Sequence, residues 1–117
     1  MDAPLDPHTL ESLRRVNGSQ GGPLLDQVVR LALELLPEHL EGLRQHQAKG
    51  AWGEVGRLAH SLKGTGGSFG AHGLSACAKV LEEAAKAEDG ARADLALRAL
   101  ESEAARVQAA LLALQSS

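Results

Sequence analysis

Leucine, valine and alanine recur along this chain at spacings of three and four, broken by short runs of glycine and polar residues. That periodicity predicts amphipathic helices from end to end. Residues 1–5 are expected to be loose. Asp6-Pro7 then starts a short helix, with the acid as cap and the proline in the first turn, where its missing donor is harmless. Leu10, Leu13 and Val16 give this helix one apolar side. The run Asn17-Gly18-Ser19-Gln20-Gly21-Gly22 is a loop by composition. A long helix follows over residues 23–49, with Leu24, Val28, Leu31 and Leu35 on one face and Leu25, Val29, Ala32 and Leu36 beside it. Pro37 falls inside; because Leu40 and Leu43 continue the apolar pattern, a kink is expected in place of a break into two helices. Gly50 closes the element.

A third helix is predicted over residues 51–66, buried along Val55, Leu58, Ala59, Leu62 and Gly66. After a glycine-rich link comes a fourth over 71–87, with Leu74, Cys77, Ala78, Leu81 and Ala84 inward. Asp89-Gly90 forms a turn. The last helix, over 91–114, carries Leu97, Leu100, Ala104, Val107, Leu111 and Leu114, a seam for antiparallel packing. The expected fold is all-α: an antiparallel up-and-down four-helix bundle with a short additional N-terminal helix, one domain over residues 1–117.

Composition agrees. The chain of 117 residues is 44% hydrophobic but only 2% aromatic, with no isoleucine or tyrosine, so residues favoured in strands are scarce. A net charge of −3, with both signs interspersed, argues against nucleic-acid binding, which needs a basic surface. No apolar run approaches the roughly 20 residues of a membrane helix, and no secretory signal opens the chain. The single Cys77 excludes an internal disulfide and fits a reducing, cytoplasmic setting; its apolar position points to core packing.

The candidate chemistry gathers at His60, which lies away from the buried stripe of its helix. Within about 60° of it on a helical wheel fall Gly53, Gly56, Arg57, Lys63, Gly64 and Gly67. A lone histidine on a helix is ordinarily solvated surface. Here it has a cation one turn before and one turn after, on a strip cleared of side chains, although each mid-helix glycine costs about 1 kcal/mol relative to alanine. Such a face suits the close approach of something bulky and negatively charged.

The residues Ala59-His60-Ser61-Leu62-Lys63-Gly64, then Phe69-Gly70-Ala71, Leu74, Cys77 and Leu81-Glu82, resemble the histidine-containing phosphotransfer (HPt) domain of multistep two-component relays, whose motif is roughly AHxLKG, a small-residue run, G, then LxxxCxxLE. The looser match spans Leu24 to Leu114. The run Thr65-Gly66-Gly67-Ser68 is richer in glycine than in many members and is similar to the phosphotransfer domain of chemotaxis histidine kinases. The resemblance implies that His60 is phosphorylated, that Lys63 stabilises the phosphoryl group and that Gly64 provides steric clearance. Assistance from Arg57 is inferred from its place on the helix alone. It further implies receiver domains of response regulators and a sensor or hybrid kinase as partners. Magnesium and an acidic pocket would be supplied by the receiver, so no cofactor is expected in this chain.

Other chemistries lack support. The run from Gly64 to Gly70 follows a helix instead of a strand and has neither dinucleotide nor P-loop spacing, so the chain has no ATP site of its own and is not expected to be an enzyme in its own right. His39 and His46 lack a zinc-ligand pattern, no serine triad is present, and Glu82-Glu83 and Glu101-Glu103 read as solvated helix faces. The expectation is a monomeric cytoplasmic phosphorelay intermediate; the initial Met and small size favour a free-standing protein. The alternatives are a phosphotransfer domain of a chemotaxis-type or hybrid kinase and, from another class, a helical interaction module without phosphoryl chemistry.

Overall fold

The computed structural model describes residues 3–16 and 22–116, with side-chain surroundings for 3–12 and 26–115. Five helices follow in order: α1 Pro7–Val16, α2 Gly22–Ala48, α3 Trp52–Ser68, α4 His72–Lys86 and α5 Gly90–Ser116. No strand occurs among the described residues. Of the expected loop over residues 17–22, residues 17–21 lie outside them, and Gly22 opens α2. Helices α2 to α5 pack in a ring, each against its chain neighbour and α2 against α5, which is the up-and-down bundle the leucine periodicity predicts. No helix is long and apolar enough to cross a membrane among the described residues.

Leu43, Leu62, Leu81, Leu100, Leu111, Val29 and Val55 are the large side chains sealed at the centre. Three tight connections hold the ring together, each with the paired backbone bonds of a Schellman turn. At the end of α2, Ala51 N–H donates to His46 O (2.9 Å) and Gly50 N–H to Gln47 O (3.1 Å), with Gly50 at φ 69°. The end of α3 repeats this with Ala71 to Gly66 (2.7 Å) and Gly70 to Gly67 (3.2 Å). At the end of α4 the left-handed position is taken by Glu88, at φ 52°.

Helices α2 and α5 have 27 residues each, against 17 in α3 and 15 in α4. At 1.5 Å per residue the long pair spans about 40 Å and the short pair about 25 Å, consistent with a 48 Å long axis. The connectors at residues 49–51 and 87–89 keep one end of the bundle level, so α2 and α5 overhang at the end where α3 meets α4. The N-terminal segment docks there. Asp6 N–H donates to Gly70 O (2.9 Å), and Asp6 caps α1 by accepting from the His8 backbone N–H (2.9 Å). Leu5, expected in a loose end, is buried in the core.

Two other expectations change. The helix α2 runs unbroken through Pro37 as expected, but its buried seam is Val29, Ala32, Leu36, Leu40 and Leu43, while Leu31, expected on the apolar face, is 53% exposed. The side chains of Leu24 and Leu25 lie outside the described residues. Apolar residues cover more than half of the circumference of the first half of α2, opposite Asp26, Gln27, Arg30 and Glu34, so the arc is too broad to fix one seam; the seam is selected by its continuation past Pro37. The second change is the glycine-rich link, half of which is helix: α3 continues through Ser68. A Cβ on Gly66 would lie 3.1 Å from Ser75 N and 3.2 Å from Ala71 O, so this glycine permits α4 to start directly against α3. Ser75 Oγ reinforces the contact by donating to Lys63 O (2.9 Å).

Candidate functional site

His60 sits midway along α3, on the side facing away from Val55, Leu58, Ala59 and Leu62, all of which are buried. Its imidazole is 67% exposed, yet it is not free to rotate, because Nδ1 lies 3.0 Å from Oε2 of Glu82 on α4. The other oxygen of that carboxylate accepts from Lys63 Nζ at 2.9 Å, and Lys86 Nζ approaches Oε2 at 3.7 Å. Glu82 is itself 7% exposed. One nearly buried carboxylate therefore ties together the histidine and the lysine one turn beyond it.

The electrostatics follow from this arrangement. The hydrogen bond from Lys63 holds the Glu82 carboxyl below the usual carboxylate range; burial opposes the shift, and the contact with His60 adds to it. An ionised carboxylate can only accept, so the neutral imidazole beside it carries its proton on Nδ1. Nε2 is left with a free lone pair, directed away from Glu82 toward solvent. A carboxylate on one ring nitrogen fixes both the tautomer and the orientation of the ring. What remains is an oriented nitrogen nucleophile with an ammonium group nearby.

The clearance inferred around His60 is present. A Cβ on Gly53, Gly64 or Gly67 would meet nothing within 4 Å. Arg57 lies on the same face, but its guanidinium is engaged with Glu54, with Nη2 to Oε2 at 2.7 Å. The sequence brings His60, Lys63 and Gly64 together as expected and leaves Arg57 turned aside.

Glu82 corrects the expectation of a solvated acidic face. Glu83 is exposed, whereas Glu82 faces the inter-helix seam. The signal was available: Glu82 stands four residues after Ala78 and three before Ala85, both buried, which sets it at the border of the apolar stripe. The other acidic pair also departs from the solvated reading: Glu101 accepts from Arg44 (2.6 Å) with a third of its side chain exposed, and Glu103 accepts from Arg106 (2.6 Å) with only 13% exposed. Burial, and secondarily Glu103, pushes the Cys77 thiol up, as befits a packing residue. No cluster of three potential metal ligands occurs among the described residues.

The family model described as Hpt domain matches residues 27–116. Among solved structures, the chain is similar to the crystal structure of histidine-containing phosphotransfer protein B (HptB) from Pseudomonas aeruginosa PAO1. The two share 25% sequence identity and superpose with a TM-score of 0.89, covering 99% of this chain and 97% of that one. No curated protein matches the sequence.

Proposed function

The chain belongs to the Hpt family, and from that premise we propose that His60 is the residue that carries the phosphoryl group. As a histidine phosphotransfer protein of a phosphorelay, it is an intermediate between donor and acceptor. The single observation that supports His60 is the Glu82 contact at 3.0 Å, which leaves Nε2 as the available nucleophile.

In the proposed step, the Nε2 lone pair attacks the phosphorus of a receiver aspartyl phosphate. The N–P bond forms as the bond from phosphorus to the aspartyl oxygen breaks, and the aspartate leaves as a carboxylate. The imidazole keeps its Nδ1 proton, donated to Glu82, which balances the positive charge that develops on the ring. Phosphoryl transfer depends mainly on positioning and charge neutralisation. Lys63 serves the second need by exchanging its contact with Glu82 for one with the phosphoryl oxygens. Gly64 serves the first by leaving room for the receiver, and Arg57 assists only if it swings away from Glu54. Attack by a second receiver aspartate reverses the chemistry and passes the group on. Magnesium belongs to the receiver, a cytoplasmic partner, and this chain acts as a monomer without an ATP site.

The test is incubation of the chain with purified phosphorylated receiver domains. A transferred label that is labile to acid and stable to base, lost in His60→Gln and retained in variants of His8, His39, His46 and His72, is the expected result. Labelling of His60→Gln at the wild-type level would reject the assignment.

A further inference from the structure

The face around His60 holds more empty space than the transferring group requires. Between the first half of α3 and the last half of α4 lies an open hollow of about 500 Å³, as large as a site that engulfs a small ligand. His60 and Glu82 form one boundary of it and Trp52 another, and Arg57 and Lys86 also line it. Lys63 and Gly64 take no part in its lining. It therefore opens on the side of the imidazole away from the residues assigned to the phosphoryl group.

The floor of this hollow is glycine where packing does not call for glycine. A Cβ on Gly53 would meet nothing within 4 Å, and one on Gly56 would make only an ordinary contact, 3.9 Å from Ala85 Cβ. Gly66, in the same helix, is different, because a Cβ there would press on the backbone of α4. Gly56 thus lowers the helix propensity of α3 relative to alanine, and neither it nor Gly53 in the first turn gives a return in internal packing. The space they leave is bounded by an indole and by Ala85, so it is apolar underneath, and charges of both signs complete its lining.

Resting on His60 as the phosphoryl carrier, we propose that this hollow is the specificity pocket for the receiver. It takes a bulky apolar side chain from the receiver surface beside the phosphorylated aspartate. Continuity requires a receiver there: a partner whose aspartyl phosphate reaches His60 Nε2 covers the mouth of a hollow that His60 itself lines. Charge agrees, since Arg57 and Lys86 share the lining with Glu82 and Glu88, so the hollow is balanced in charge and an uncharged side chain enters it without leaving a charge unpaired. A receiver with a large apolar residue at this point fills the pocket. One with a small or charged residue leaves a gap or strands a charge, which is how related partners are told apart.

The full-length chain allows a direct test, with a panel of purified receiver domains phosphorylated by acetyl phosphate and the fastest donor to wild type used throughout. Gly56→Leu should raise the receiver concentration for half-maximal transfer by at least about tenfold while the maximal rate stays within about twofold. Gly56→Ala should change it by less than about threefold, and neither variant should unfold more easily than wild type. Because Trp52 is the one tryptophan in the sequence, 5-fluorotryptophan incorporated there should show a shifted 19F resonance when receiver is added. Wild-type half-saturation in both Gly56→Leu and Gly53→Leu, or a 19F signal unmoved at saturating receiver, would overturn the pocket while His60 labelling stands. If no receiver labels His60 in wild type, the pocket falls together with the phosphoryl-carrier reading.

Discussion

Replacing Gly64 by glutamine should make the protein more stable and less able to transfer. Gly64 lies in α3, four residues before its end, on the exposed face one turn after His60. Because a Cβ there would meet nothing within 4 Å, the new side chain brings no internal strain. The gain in helix propensity then stands almost undiminished, at about 0.5–1 kcal/mol, which raises the unfolding midpoint by about 2–6 °C for a domain of this size. The same side chain rises about 5–6 Å from His60 at the Cβ level, in the volume a receiver must occupy. Transfer needs the reacting atoms within about 3–3.5 Å, and a displacement of about 1 Å can slow a reaction by about 10²-fold. The assay pairs thermal unfolding with single-turnover transfer from a phosphorylated receiver on the same preparation. Opposite movements, a higher midpoint and a rate lower by about 10²-fold, are expected. A wild-type rate would refute the clearance argument; a lower midpoint would refute the open space.

Gly66→Ala, two residues further on, should have the reverse effect on stability, losing about 1–3 kcal/mol in denaturant unfolding, because its methyl group presses on the backbone of α4. Glu88→Gly should stabilise the chain by about 1 kcal/mol, since glycine adopts the φ of 52° that glutamate holds at the end of α4 without steric conflict; no change in urea midpoint would remove strain from that turn. The depressed Glu82 carboxyl contributes stability that is complete above its unfolded value, near 4.3, and is lost as pH falls through the lower folded value. The stability difference between wild type and Glu82→Gln should accordingly shrink on acidification below about pH 5, and a difference constant over that range would discount the Lys63 and His60 contacts.

How far the sequence foretold this molecule depends on which force decided each feature. The helices at α3, α4 and α5 were legible because leucine and alanine recur at spacings of three and four, and Gly50 marked the end of α2 because the turn there needs a positive φ. The seam of α2 was not legible, since Val28, Val29, Leu31, Ala32, Leu33, Leu35 and Leu36 cover more than half of its circumference and only the neighbouring helices choose among them. Local propensity predicts a break at Gly66-Gly67; the helix instead continues through Ser68, where Gly66 lets α4 approach closely. His60, Lys63 and Gly64 could be grouped from the sequence because they share one helix. Glu82 belongs to another helix, next to an exposed Glu83 that made the pair look solvated, and its role emerges only when α4 packs on α3.

The most direct measurement of the central claim is the chemical identity of the phosphorylated atom. The chain, labelled from a phosphorylated receiver and kept at alkaline pH, can be examined by 31P NMR and by mass spectrometry of its peptides. With Nδ1 held by Glu82, the account predicts one phosphohistidine, the Nε2 isomer, located at His60. An Nδ1-phosphohistidine at His60, or the phosphoryl group on any other residue, would contradict it.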